Sequence, residues 1–449
     1  MTTSTISTGS PSAPAPPRSQ SRLRGVDATR GIALLGMMAV HTLYESDSVG
    51  QPTWTFAIFG GRAAATFGVL AGIGIAFMTG RRRVRGSAAR ATAGALATRA
   101  LAIGAIGLAL GYADAALGAV ILPYYAVLFL LAIPVVLLPT WLVGVLGLAV
   151  AAAAPVLTHI LLPHLPAPSL ENPTFGYLLH DPLGLLCELS ITGEFPALAW
   201  VTYLCAGLVL GRLTMSKRRV AIGLLVTGVV LAVAAHVAST TLLNRWGGLA
   251  QIWASQPTGA LTVPETTELL ALGGDGTAPT DTWWWLATDA PHTSTPFDLL
   301  GTTGAAVGLL GAMLLTAHIA RRRLHRLASL VQAPLAAAGS MTLTLYTAHI
   351  MFINSDYDHY DPTTGYLLQA AAVLLIGLAW KATAGRGPLE TLVSALANRA
   401  SRAVTTVSPP PPAAAHEPSP APFPWPPSPV PRTAQHQRRP SHDARGHLP

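Results

Sequence analysis

Apolar runs of about 20 residues, each closed by a short polar or charged connection, recur ten times between residues 25 and 384. They lie near residues 25–44, 56–79, 92–112, 118–138, 141–162, 195–213, 220–242, 297–319, 335–353 and 365–384. As helix, a run of that length crosses the hydrocarbon core of a bilayer. Apolar side chains occupy nearly every helical face and show no period of two, so the runs predict helices and not strands. Pro123, Pro134 and Pro139 punctuate the stretch 118–162, and neighbouring helices in a bundle re-satisfy the backbone groups that such residues free. No internal repeat is visible, which weakens a transporter built from duplicated halves.

The flanks differ in kind. Residues 1–21 are Ser, Thr, Pro and Ala without an apolar run, and residues 403–449 are rich in proline. Both predict disorder, because neither can offset its ordering entropy by burial. The N-terminal stretch lacks the layout of a cleavable signal peptide. The chain thus divides into a tail (1–21), a membrane domain (22–402) and a proline-rich tail (403–449).

Composition removes the competing classes. With 51% hydrophobic and 11% charged residues, a water-soluble globular protein is excluded. A net charge of +8 would suggest nucleic acid in a soluble chain, but here the cations sit between the spans and set orientation. With the N-terminus inside, 26 of the 28 Lys and Arg fall on the cytoplasmic side and 16 of the 20 Asp and Glu fall outside. Arg245 and Arg62 are the exceptions. The expectation is an all-α, ten-span helix bundle of the plasma membrane with both termini cytoplasmic, in contact with lipid and not with nucleic acid. Two cysteines, Cys187 and Cys205, exclude a disulfide scaffold and a four-thiolate metal site, and no metal or resident cofactor is expected.

Ionisable residues inside spans are costly and mark candidate chemistry. The first span carries Arg24, Asp27, Arg30 and His41. Asp27 and Arg30 can pair across one turn at the inner end. His41, eleven residues beyond Arg30, returns to the same face roughly 16 Å along the axis. The layout suits a tunnel that holds a charged donor inside and presents its reactive end to a base farther out. The plainer readings are a juxtamembrane ion pair and an interhelical hydrogen bond. Arg62, inside the second span, needs a counter-charge such as Glu45 or Asp47, unless it binds an anionic substrate group or snorkels outward. His349 reaches the depth of His41 and reads first as a satisfied interhelical histidine, second as a site residue. Arg81, Arg82 and Arg83 read as topogenic charges that could also receive phosphates of a cytosolic coenzyme. The tryptophans of the outer loop 243–296 suit either an interfacial belt or a platform for a sugar. Phosphate-loop, zinc-protease, C-x-x-C and serine-elbow motifs are absent from the sequence.

Several stretches resemble a known group. R-L-R-G-V-D-A-T-R-G-I-A-L-L-G-M-M-A-V-H (22–41) and F-G-G-R-A-A-A-T-F-G-V-L-A-G-I-G-I-A-F-M-T-G-R (59–81) carry most of the likeness. Further stretches are I-L-P-Y-Y-A-V-L-F-L-L-A-I-P (121–134), T-G-E-F-P-A-L-A-W-V-T-Y-L-C-A-G-L-V-L-G-R (192–212), P-H-T-S-T-P-F-D-L-L-G-T-T-G (291–304), L-T-L-Y-T-A-H (343–349) and G-R-G-P-L-E (385–390). Together they resemble bacterial domain-of-unknown-function membrane proteins related to the heparan-alpha-glucosaminide N-acetyltransferases, in the transmembrane acyltransferase superfamily. The resemblance implies transfer of an acyl group from cytosolic acyl-CoA, as co-substrate, to an extracytoplasmic hydroxyl or amine, often on a glycan. Its Arg and His of the R-x10-H pattern fall on Arg30 and His41. The likeness to the glucosaminide enzyme lies mostly in the first two spans, so heparan sulfate is not implied as acceptor.

On this reading His41 is a general base or a transient acyl carrier, with Arg30 and Asp27 beside the chemistry. Arg24, Arg30 and Arg81–Arg83 would hold the coenzyme phosphates. Arg62, Tyr125 with its neighbour Tyr124, Glu194, His292, Asp298 and His349 are candidate acceptor contacts. Arg30, His41 and Arg62 are expected to line one continuous cavity. Two other classes stay open: a transporter or flippase using the same intramembrane residues, and a scaffold whose proline-rich tail binds partners.

Overall fold

The computed structural model describes residues 23–86, 88–256, 259 and 261–407. The two tails, apart from the first residues after 402, lie outside them. The described residues form seventeen α-helices and no strand.

Helix α1 (Arg24–Thr42) leads into a short α2 (Trp54–Phe59) and a buried α3 (Arg62–Met78). α4 (Ala88–Leu110), α5 (Leu122–Val135) and α6 (Thr140–Leu161) follow, then two six-residue helices, α7 (Phe175–His180) and α8 (Pro182–Cys187). α9 (Ala197–Gly211) and α10 (Arg218–Thr240) precede a segment containing α11 (Gly248–Ser255) and α12 (Val263–Leu272). The chain continues through α13 (Pro296–Leu315), α14 (Arg322–Ala338), α15 (Thr342–Ile353), α16 (Pro362–Thr383) and α17 (Pro388–Val407).

Each of the ten sequence windows contains a helix. Six helical stretches are long and apolar enough to cross a membrane, and two bent pairs raise the number to eight. The remaining windows fall short for different reasons. α5 has only 14 residues, and α1 carries Asp27, Arg30 and His41 in a largely buried position. Exposure sorts the bundle as a bilayer demands. Val226, Val229, Val230, Val233 and Val237 of α10 are exposed and apolar, a stripe facing hydrocarbon, whereas α3 and α9 are buried in the middle.

Central helices approach backbone to backbone. A Cβ at Gly207 of α9 would strike the Val69 carbonyl of α3, and one at Gly228 of α10 would strike Gly308 of α13. The same holds between α1 and α14, where a methyl on Gly31 meets Leu335 and one on Gly339 meets Asp27. Small residues at crossings substitute dispersion contact for the hydrophobic drive that lipid removes.

Four features differ from the sequence reading. The second span, Trp54–Met78, is interrupted by a turn at Gly60 and Gly61, the latter at φ 65°, so that Arg62, two turns inside the stretch, is the first residue of α3. The ninth span bends by 73° between α14 and α15. α14 starts at Arg322, well before the expected 335, and shows Leu324, Leu327, Leu330 and Val331 beside its arginines, the pattern of an interfacial helix. α17 is an additional amphipathic helix against α4, ending at Val407, beyond the expected boundary at 402. Arg99, counted among the cytoplasmic cations, sits halfway along α4, with its guanidinium 6.0 Å from the Phe129 ring.

Residues 243–295 build a cap with its own small core of Ile252, Ala278 and Trp285. Trp285 donates to Asp281 (2.9 Å), Trp283 packs on His159, and Trp284 covers Gly248. Trp284 and Trp285 are therefore structural to the cap, while Trp246 and Trp283 remain exposed.

Replacing Gly207 by leucine should force α3 and α9 apart at a cost of about 1–3 kcal/mol. Leucine at Gly223, where no atom lies within 4 Å, should be neutral. Thermal unfolding of both variants in detergent measures the difference.

Candidate active site

His41 lies in the last turn of α1, just before the chain turns extended at Leu43. His349 is buried in α15 and Gln369 is buried in α16. The imidazoles of His41 and His349 are nearly parallel, at 8° with centroids 5.3 Å apart, and His41 Nδ1 is 3.1 Å from His349 Nε2. On the far side, His349 Nδ1 is 2.7 Å from Gln369 Oε1. An amide oxygen only accepts, so His349 Nδ1 carries the hydrogen. Its Nε2 is then a lone pair, which accepts from His41 Nδ1–H. The remaining nitrogen, His41 Nε2, is left with its lone pair bare. Three helices thus set one tautomer.

His41 borders a cavity of about 1210 Å³. Met37, Phe56, Phe59 and Phe67 give it an apolar side, while Tyr124, Glu194 and His292 contribute polar groups. The cap closes the opposite side through α12 and the loop 273–281. His292 holds a left-handed backbone at φ 54° with its ring edge-on to Phe195, 5.5 Å away.

Of the expected site residues, His41, Glu194 and His292 share this cavity, and His349 stands directly behind His41. The expected continuous cavity joining Arg30, His41 and Arg62 does not form: neither arginine lines the wall. Arg62 donates to the Ala57 carbonyl at 2.6 Å and pairs with neither Glu45 nor Asp47, which accepts from Val49 and Gln51 in its own turn. Tyr125 faces the core, edge-on to Trp200, and its neighbour Tyr124 takes the place at the wall. Asp298 is buried at the start of α13, accepting from Ser294 N–H at 3.0 Å, and also stays off the wall.

At the basic end, Asp27 and Arg30 form the expected pair at 3.0 Å. Arg24 is exposed, Arg81 lies over Phe77 at 4.5 Å, Arg82 is exposed, and Arg83 donates to the Leu137 carbonyl at 2.5 Å. Arg99 is close enough to Arg30 to feel its charge, and its buried Nε has no hydrogen-bond partner. Sequence reading did not single out Gln369, behind His349, or Arg99, near Arg30. Each was visible as a lone polar side chain within an apolar run, Gln369 being the single amide of its window.

Electrostatics at the cavity favour neutral forms. Burial, with help from the neighbouring Asp275 and Glu45 carboxylates, pushes the Glu194 carboxyl up to about 8. Burial lowers His292 to about 4, and burial followed by Glu268 and Asp275 raises Glu45. Between the ordinary value of 4.5 and about 8, folded Glu194 holds a proton that the unfolded chain has released. Its contribution to stability therefore falls as pH rises through that window. Glu194→Gln should flatten the decline in thermal midpoint over this range, measured as unfolding curves of both proteins against pH.

Comparison with known proteins returns two results. No curated protein matches the chain. A family model described as heparan-alpha-glucosaminide N-acetyltransferase, catalytic, matches residues 22–244, which include His41, Glu45 and Glu194 and stop before most of the cap, His349 and Gln369. Over these residues, just under half of its length, this helical membrane protein is similar to the heparan-alpha-glucosaminide N-acetyltransferases.

Proposed function

We propose that the chain is an acyltransferase of the plasma membrane, with ten crossings and both ends cytoplasmic. It moves an acyl group from cytosolic acyl-CoA to a hydroxyl or amine, glycan acceptors included, in the outer cavity. The observation that carries this reading is the bare Nε2 of His41 at the end of the Gln369–His349–His41 chain, on the wall of a cavity large enough for an acceptor.

The acceptor O–H or N–H gives its proton to His41 Nε2 as the oxygen or nitrogen attacks the thioester carbonyl. The new C–O or C–N bond forms and the C–S bond breaks. The departing thiolate then takes the proton from the imidazolium, which restores neutral His41. His349 and Gln369 act as positioning residues: they hold the tautomer and accept charge spreading from the ring. Arg30 and Arg99, with Arg24 and Arg81–Arg83, supply cations on the donor side. Support for that role is a mid-helix Arg99 that, among the described residues, forms no ion pair and leaves its buried Nε unpartnered, beside an Arg30 paired with Asp27.

Purified protein given acyl-CoA and a panel of amines and sugars should release free CoA in an acceptor-dependent way. His41→Ala should lower that rate by about 10²–10⁴-fold. Gln369→Leu should lower kcat, and Gln369→Glu, which retains an acceptor oxygen, should restore more of it. Undiminished turnover in His41→Ala overturns the proposal, as does solute flux in proteoliposomes without acylated product.

A further inference from the structure

The cavity wall carries charge of one sign. Nine of its side chains are Asp or Glu and none is Lys or Arg. Four of the nine are already engaged in local structure: Asp114 accepts from Ala116, Glu188 from Ser169 and Tyr177, Glu265 caps α12, and Asp281 accepts from Trp285. The carboxylates of the other five, Glu45, Glu171, Glu194, Glu268 and Asp275, accept no hydrogen bond and form no ion pair among the described residues. Two of them come from the membrane bundle's loops at the His41 end (Glu45 and Glu194), and two from the cap (Glu268 and Asp275). Glu194 is the most enclosed of these, unpartnered and directed into the cavity.

Four of these carboxylates border the same cavity from two sides, close enough to feel one another's charge. Asp275 and Glu45 act on Glu194, while Glu268 and Asp275 act on Glu45. Yet among the described residues no group of three Asp, Glu, His or Cys is close enough together to hold a metal ion. Negative charge is therefore spread over a distance wider than one ion's coordination shell. At about 1210 Å³ the space is at the upper end for a small-molecule site, roomy enough for an extended ligand. Like charges facing each other across a seam repel, most strongly at the half-buried Glu194, and a ligand with spaced positive charges removes the repulsion.

From the lining of one cavity by these unpartnered carboxylates, four exposed and Glu194 half-buried, with no Lys or Arg among its residues, we infer that the site binds an organic polycation, a molecule with two or more ammonium groups that bridges the membrane body and the cap. Resting on the acyltransferase reading, that molecule is the acceptor, and a neutral amine or hydroxyl on it faces His41. The same wall repels sulfated or phosphorylated glycans, so the polyanionic substrate in the name of the related family is disfavoured here.

Spermidine titrated into the purified full chain in detergent, followed by calorimetry, tests the inference. Binding is expected to weaken by about tenfold or more in Glu268→Gln/Asp275→Asn and to weaken in high salt, while a heparin-derived disaccharide shows none. Both changes lie in the cap, and an unchanged thermal midpoint verifies folding; Glu268→Gln alone serves if the double variant unfolds. Absent spermidine binding, or equal binding by the variants, overturns the polycation site. Should spermidine fail while a neutral sugar is acylated in a His41-dependent way, the acyltransferase reading stands without this inference. Should spermidine bind as expected but no acyl product form with any acceptor, the cation site stands and the acyltransferase reading falls.

Discussion

In hydrocarbon no water is present to complete a hydrogen bond, so every polar group inside the bundle must find a partner in protein or keep access to a cavity. The chain His41–His349–Gln369 answers that demand for His349 and for one nitrogen of His41. Gln369 satisfies His349, His349 satisfies one nitrogen of His41, and the other nitrogen opens on the cavity. Arg212 meets the demand in part: its guanidinium donates to the carbonyls of Val136 and Leu138 between α5 and α6, while its buried Nε finds no partner.

The division between bundle and cap follows from the same constraint. The bundle's interior is made of glycine crossings and apolar contacts, which leave little freedom to vary. The cap stands beyond the helices, folds around its own three-residue core and brings carboxylates to the cavity from α12 and the loop after it. The family likeness covers the bundle through residue 244 and ends near the start of the cap. His41, Glu45 and Glu194 fall within the matched residues, whereas most of the cap, His349 and Gln369 lie beyond them.

Much of the architecture was readable from the sequence because bilayer thickness imposes a length on every crossing. The all-helical class and the positions of most helices follow from apolar runs alone. Breaks inside runs were not readable: Gly60 and Gly61 resemble many tolerated membrane glycines, and only the positive φ at Gly61 shows that one helix ends there. For the site, His41 was singled out by its spacing from Arg30, and Glu194 and His292 by their positions at helix ends. Side-chain direction defeated the rest. Tyr124 and Tyr125 are adjacent, yet one reaches the cavity and the other the core, a difference of about 100° around the helix axis that depends on how α5 is rotated. Gln369 was missed because one amide in an apolar run carries no hint of which of many helices it faces.

The glycine contact between α1 and α14 has a mechanical consequence. With Gly31 against Leu335 and Gly339 against Asp27, α1 is clamped near its base, while its tip carries the imidazole. Ten residues separate Gly31 from His41, about 15 Å of rod, so a tilt of about 5° at the clamp would swing the tip by roughly 1.3 Å. Displacements of that size are enough to spoil a reacting geometry. The stiffness of this lever, set where two backbones touch at the opposite end of the helix, governs how accurately the ring is aimed.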